Sequence, residues 1–148
     1  MPLISALRYD ELLNILFDLF PQWEPAIIAQ ISEARRSFFE DSRSNISVCF
    51  EPNRTVTPVR TPVQVPVEVI LGKQILSNTE SQKMINGFPV MISDSLIVND
   101  DHAVGVRFHF DKGYLTEIEV YSLIGSVLDN TIPINQDRVY LVCEELIE

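Results

Sequence analysis

The chain has 148 residues, 46% of them hydrophobic, and a formal net charge of -10 from 21 acidic side chains against 11 Lys and Arg. Such a length and apolar content suit one domain with one core, and they exclude a disordered chain. The negative charge argues against nucleic-acid binding, which begins with attraction to phosphate, and no apolar run approaches the roughly 18 residues of a membrane span.

The chain opens Met1-Pro2-Leu3-Ile4-Ser5-Ala6-Leu7-Arg8, without the basic start and long apolar stretch of a secretory signal. Its two cysteines, Cys49 and Cys143, are too few for a disulfide framework, so a cytoplasmic location is the expectation. From Arg8 to Phe20, Leu12, Leu16 and Leu19 share one stripe with Ile15 beside it, opposite Asp10, Asn14 and Asp18. That spacing predicts an amphipathic helix, stopped by Pro21. A second helix is expected from Pro25, with Ile27, Ile31, Ala34 and Phe38 as its apolar stripe. Together they make a helical hairpin over 1–40, with Trp23 plugging its end.

After the polar stretch Glu40 to Asn45 the period changes to two. Ile46, Val48 and Phe50 alternate with Ser47 and Cys49, which predicts a strand. Pro58-Val59, Pro62-Val63 and Pro66-Val67 then repeat a Pro-Val step every four residues. Proline cannot donate to a ladder, so this arm is expected at an edge or in solvent, becoming a strand from Val67 to Leu71 and ending at Gly72. Thr79 and Gln82 have capping-box spacing and Ser77 with Glu80 competes, predicting a helical turn over Glu80 to Ile85 closed by Gly87. Phe88 to Val98 reads as strand or extended loop. Val139, Leu141 and Cys143 alternate with Tyr140 and Val142, apolar on both faces, as in a central strand.

The clearest element is a hairpin between Ala103 and Tyr121. Val104, Val106, Phe108 and Phe110 alternate with Gly105, Arg107 and His109, and the alternation resumes from Tyr114 after Asp111-Lys112-Gly113. A two-residue loop at Lys112-Gly113 would set Phe108 opposite Glu117 and Val106 opposite Glu119, bringing carboxylates to the apolar face. A three-residue loop with a G1 bulge at Gly113 instead pairs Phe110 with Tyr114, Phe108 with Thr116, Val106 with Ile118 and Val104 with Val120, and sets Arg107 opposite Glu117. At roughly 1.5–3 kcal/mol per buried large side chain, the second register is expected to win.

Catalytic signatures are sparse. Asn99-Asp100-Asp101-His102, with Asp94 and His109 near in sequence, offers oxygen and nitrogen ligands for a metal. It shows no HxH, HExxH or DxDxDG spacing, and a polar loop before a strand explains it more simply. Cys49 or Cys143 with His102 or His109 as base would be a conceivable nucleophile, without any local signature. The five glycines form no phosphate-binding cluster. No catalytic residue, metal or cofactor is therefore expected. What remains is acidity: Asp94, Asp100, Asp101, Glu117 and Glu119 around the hairpin, and Glu144, Glu145 and Glu148 after the last strand. One explanation is solubility alone; the other is an acidic face that selects a basic protein.

The segment from Val106 to Tyr121, with Leu115-Thr116-Glu117-Ile118-Glu119-Val120-Tyr121 after the turn, resembles a strand-turn-strand segment of several small bacterial families. Some of these resemble immunity proteins of contact-dependent growth inhibition and related polymorphic-toxin systems. The resemblance covers about a tenth of the chain and implies a cytoplasmic, non-enzymatic protein that binds one cognate toxin domain, often over its active site. It carries over no binding residues. Asp94, Asp100, Asp101, Arg107, Glu117 and Glu119 are the partner-contacting candidates on the charge argument.

The expected fold is α+β, a single domain over 1–148, with the helical hairpin on a mainly antiparallel sheet of about five or six strands over 46–148. The expected partner is a toxin domain, with a nuclease as one candidate and no nucleic acid or membrane, and the free form is expected to be a monomer or weak homodimer. The alternatives are a small metal-dependent hydrolase using Asp100, Asp101 and His102, or a subunit of a larger assembly.

Overall fold

A computed structural model describes residues 9–42, 45–60, 66–72, 75–77, 84–85, 88–92, 96–98, 104–122 and 138–143. Two N-terminal helices pack on an antiparallel sheet, an α+β fold. Helix α1 spans Tyr9–Leu19 and buries Leu12, Leu13, Ile15, Leu16, Phe17 and Leu19, leaving Asn14 and Asp18 exposed, as the stripe predicts. Phe20 leaves the helical region, and Pro21–Trp23 makes one 3-10 turn whose Trp23 stacks on Phe20 and meets Phe110 edge-on. Trp23 therefore plugs the gap between helices and sheet.

Helix α2 spans Glu24–Ser32, with Pro25 in its first turn, where the missing N–H costs nothing. It does not continue to Phe38. Arg35–Ser42 is strand β1, paired with β2 (Asn45–Glu51) from Arg35↔Glu51 to Ser42↔Asn45. The Ala34 and Phe38 positions fit a helical stripe, but a short helix gains little per residue, and a full ladder with β2 outweighs that pattern. Ser42 and Asn45 of the polar stretch pair with each other across these two strands, and the helical region ends near residue 32 rather than 40.

Strands β3 (Val67–Gly72), β4 (Ile75–Ser77), β5 (Met84–Ile85), β6 (Phe88–Ile92), β7 (Leu96–Val98), β8 (Val104–Asp111), β9 (Tyr114–Ser122) and β10 (Arg138–Cys143) follow. The main sheet runs β1-β2-β9-β8-β3 with antiparallel pairs throughout, and continues through antiparallel β10 to β6, which is parallel to β10, and β5. A separate pair joins β4 to β7. Strand β10 is central, as its two apolar faces predict, and β3 keeps its expected bounds but sits inside the sheet.

Two expectations are corrected here. Met84–Ile85 is a strand, not a helical turn: Ile85 pairs with Phe88 and Met84 with Pro89. In sequence, Asn-Gly favours a hairpin loop over a helix end; residues 78–83 and 86–87 themselves lie outside those described. The Pro-Val arm is not simply solvated where it is described. Val59 is half-buried against the core and its N–H donates to the Gly113 carbonyl at 2.8 Å, while residues 61–65 lie outside the described set.

The β8–β9 hairpin is present with a different offset. Lys112 and Gly113 have φ of 52° and 89°, the two positive values of a type I′ turn, and Asp111 pairs with Tyr114 and Phe110 with Leu115. The extra residue sits not in the loop but at a bulge after Phe110, beyond which His109 faces Glu117, Phe108 faces Ile118 and Arg107 faces Glu119. Thr116 is that residue, and its hydroxyl donates to the His109 carbonyl at 3.2 Å. From Glu117 onward the faces come out as expected, because one inserted residue restores the alternation, and beyond the bulge each partner is shifted by two. Between turn and bulge they differ: Phe110 pairs with Leu115 rather than Tyr114, and Leu115 joins the core. On the helix-covered face Val48, Val69, Val106, Phe108 and Ile118 are fully buried against Leu12, Leu16, Leu19 and Ile27.

Candidate functional site

The same alternation that buries those side chains sends their neighbours to the sheet's other face. Three cross-strand rows result. Ser47, Glu119, Arg107 and Glu68 form one; Cys49, Glu117 and His109 the second; Asn45, Tyr121, Gly105 and Ile70 the third. Directly opposed residues are close enough to interact, so sheet order turns separate sequence positions into one polar patch.

Glu68 is its first anchor. Its Oε2 accepts from Arg107 Nε and from the Tyr121 hydroxyl, each at 2.6 Å. The Arg107 guanidinium lies over the Tyr121 ring, 4.1 Å from its centre, in a cation–π contact. The ring itself fills the space above Gly105, where an added Cβ would sit 2.0 Å from Tyr121 Cζ. Burial and the adjacent Glu68 carboxylate both push the Tyr121 hydroxyl well above its ordinary range, keeping it a donor. Burial opposes the charge on Arg107, but the neighbouring Tyr121, Glu68 and Glu119 outweigh it and hold the guanidinium charged.

Glu119 is the second anchor, with its side chain 16% exposed. Asn45 Nδ2 donates to Oε2 at 2.9 Å, His109 Nε2 lies 2.9 Å from Oε1, and Arg107 is 3.5 Å from the same oxygen. Burial alone would raise this carboxyl, but the His109 and Asn45 bonds and the Arg107 charge overcome it and hold it below the ordinary carboxylate range. An ionised carboxylate can only accept, so His109 Nε2 carries the proton in that bond. Glu117 makes no ion pair among the described residues.

Of the residues singled out from sequence, Arg107, Glu117 and Glu119 converge on this face. Arg107 pairs across the strands with Glu119 rather than Glu117, a consequence of the bulge. Asp94, Asp100, Asp101 and His102 lie outside the described residues, as do Glu144, Glu145 and Glu148. Cys49 is half-buried; burial and the Glu117 charge raise its thiol, only partly opposed by Ser47, which disfavours the thiolate a nucleophile needs. His109, Glu117 and Glu119 place one ligand atom each within 4.8 Å of one another and could hold a metal ion, although Glu119 is already engaged by Asn45 and Arg107.

Sequence reading missed Glu68, Asn45 and Tyr121. Glu68 between Val67 and Val69 carries the signal of an outward strand position, but its neighbour Arg107 is supplied by strand order. Among the described residues no helix is long and apolar enough to cross a membrane. No protein-family model, no curated protein and no solved structure matches the chain.

Proposed function

We propose that this protein is a non-enzymatic inhibitor that binds another protein through its open sheet face, acting as an immunity protein of the bacterial cytoplasm against a cognate toxin domain. The observation that carries the reading is the acidic excess of that face: Glu68, Glu117 and Glu119 stand with one guanidinium, Arg107, and Glu68, Glu119 and Arg107 are held in a paired, hydrogen-bonded array before any partner arrives. Pre-ordered charge on a rigid sheet loses little side-chain freedom on binding, and an acidic surface speeds encounter with a cationic one. A nuclease fits as the partner, because its cleft is basic to receive a polyanion. Covering that cleft excludes substrate without any bond made or broken by the inhibitor.

Co-expression with the toxic domain encoded in the neighbouring reading frame tests this. Protection of the host and copurification at moderate salt are expected, with Glu117→Lys raising the dissociation constant by about tenfold or more, most strongly at low ionic strength. Absence of both a complex and protection overturns the reading.

A further inference from the structure

Strand β1 closes one end of the main sheet, and among the described residues its only strand neighbour is β2. An eight-residue edge is a template for another strand unless its side chains forbid pairing. Here the charges are sorted rather than uniform: Arg35 and Arg36 begin the strand, and Glu40 and Asp41 lie near its end. A strand guarded against every partner would gain nothing from that segregation. Parallel self-pairing in register would set Arg against Arg and carboxylate against carboxylate. Antiparallel self-pairing does the reverse.

We propose that β1 pairs with β1 of a second copy, antiparallel about a two-fold axis at Phe38, making one sheet continuous through both molecules. A two-fold between antiparallel neighbours runs perpendicular to the sheet, so each residue faces one whose number completes a fixed even sum. Centred on Phe38, the register sets Arg36 opposite Glu40 of the second copy and Arg35 opposite its Asp41, twice each by symmetry. Centring on Ser37 or Phe39 instead sets every one of these charges opposite a neutral residue or outside the strand's charged ends. The ladder with β2 is regular from Arg35 to Glu40, so the central positions are free of the irregularity between Glu40 and Ser42. Phe38 stands opposite Val48 in that ladder, and the two-fold sets the Phe38 positions of the two copies opposite each other. Arg35, Arg36 and Ser37 are exposed in the single chain. This inference uses a different edge from the charged face and does not depend on the inhibitory role.

Sedimentation equilibrium of the full chain over a wide concentration range tests it. A reversible monomer–dimer equilibrium is expected, weakened about tenfold or more by Arg36→Glu or by Glu40→Arg, since opposed like charges destabilise a cross-strand pair. The double variant R36E/E40R carries both charges exchanged, rebuilds the complementary pairs and is expected to recover the dimer. Circular dichroism of each variant separates loss of pairing from loss of fold. A wild-type chain that stays monomeric up to millimolar concentration overturns the proposal and leaves the edge to a strand from a different protein. So does a folded double variant that dimerises no better than the single ones.

Discussion

The hairpin tip and the charged face of the same two strands are both polar, yet they are built by opposite means. At the tip an exposed Arg54–Asp111 pair lies outermost, but the buried partners are backbone groups and their binders are neutral. Gln30 of α2, 2% exposed, donates to the carbonyls of Thr57 and Gly113 at 3.1 and 3.0 Å and accepts from the Leu115 N–H at 3.0 Å. The Tyr114 hydroxyl reaches the carbonyls of Arg54 and Val56 at 2.9 and 2.8 Å, donating to one at a time. At the face, side chains bind side chains, the groups are ionised, and solvent reaches most of them. A buried amide must satisfy every backbone group it meets or leave an orphan, whereas a half-exposed carboxylate that loses a partner takes up water. The tip is therefore rigid by necessity, and the face is a surface whose charges can be exchanged for those of a partner at moderate cost.

That contrast has a measurable order. Gln30→Ala leaves the Leu115 N–H and a buried cavity uncompensated and is expected to cost about 3 kcal/mol, read from urea denaturation midpoints. A loss below about 1 kcal/mol would mean water replaces the amide, and the distinction between the regions would fail. Gly105→Ala displaces the Tyr121 ring, whose far end can swing away, and with it the bond to Glu68; about 1.5 kcal/mol is expected. Glu119→Gln should cost least, about 1 kcal/mol at neutral pH, because Asn45 and Arg107 can turn to solvent. Its sign with pH follows from the lowered carboxyl. Stabilisation by Glu119 is complete above the ordinary carboxylate range and is lost as pH falls through the lower folded value. The gap between wild type and Glu119→Gln should therefore close on acidification, measured by denaturation from neutral pH down to pH about 3. A gap that widened in acid would refute the assignment of Glu119 as the ionised anchor.

How much of this could be read beforehand depends on whether a residue's role is set locally. The faces of Val104 to Phe110 and of Glu117 to Tyr121 were legible, because period two assigns sides without knowing partners. The offset was not, since an extra residue in the loop and one at Thr116 give the same sides beyond the bulge, and only the second puts Leu115 in the core. Arg107, Glu117 and Glu119 were found as outward charges; their connection through Glu68 and Asn45 needed the order β2-β9-β8-β3, which no short-range pattern encodes. Residues 35–40 read as helix because Ala34 and Phe38 extend the spacing of Ile27 and Ile31, and only the ladder with β2 decides otherwise. Gln30 gave no warning at all. An amide on a helix reads as solvent-facing until the segments it joins, 27 to 85 positions away, are folded against it.

The inserted residue at Thr116 makes the hairpin intolerant of single-residue length changes. Shortening β9 there by one position would rotate everything after it by half a turn, driving Glu117 and Glu119 beneath the helices and turning Ile118 and Val120 out to water. Related chains that keep this architecture should therefore gain or lose residues in this stretch in pairs, or match each single change with another on β8. Length parity, more than residue identity, is what the hairpin must inherit.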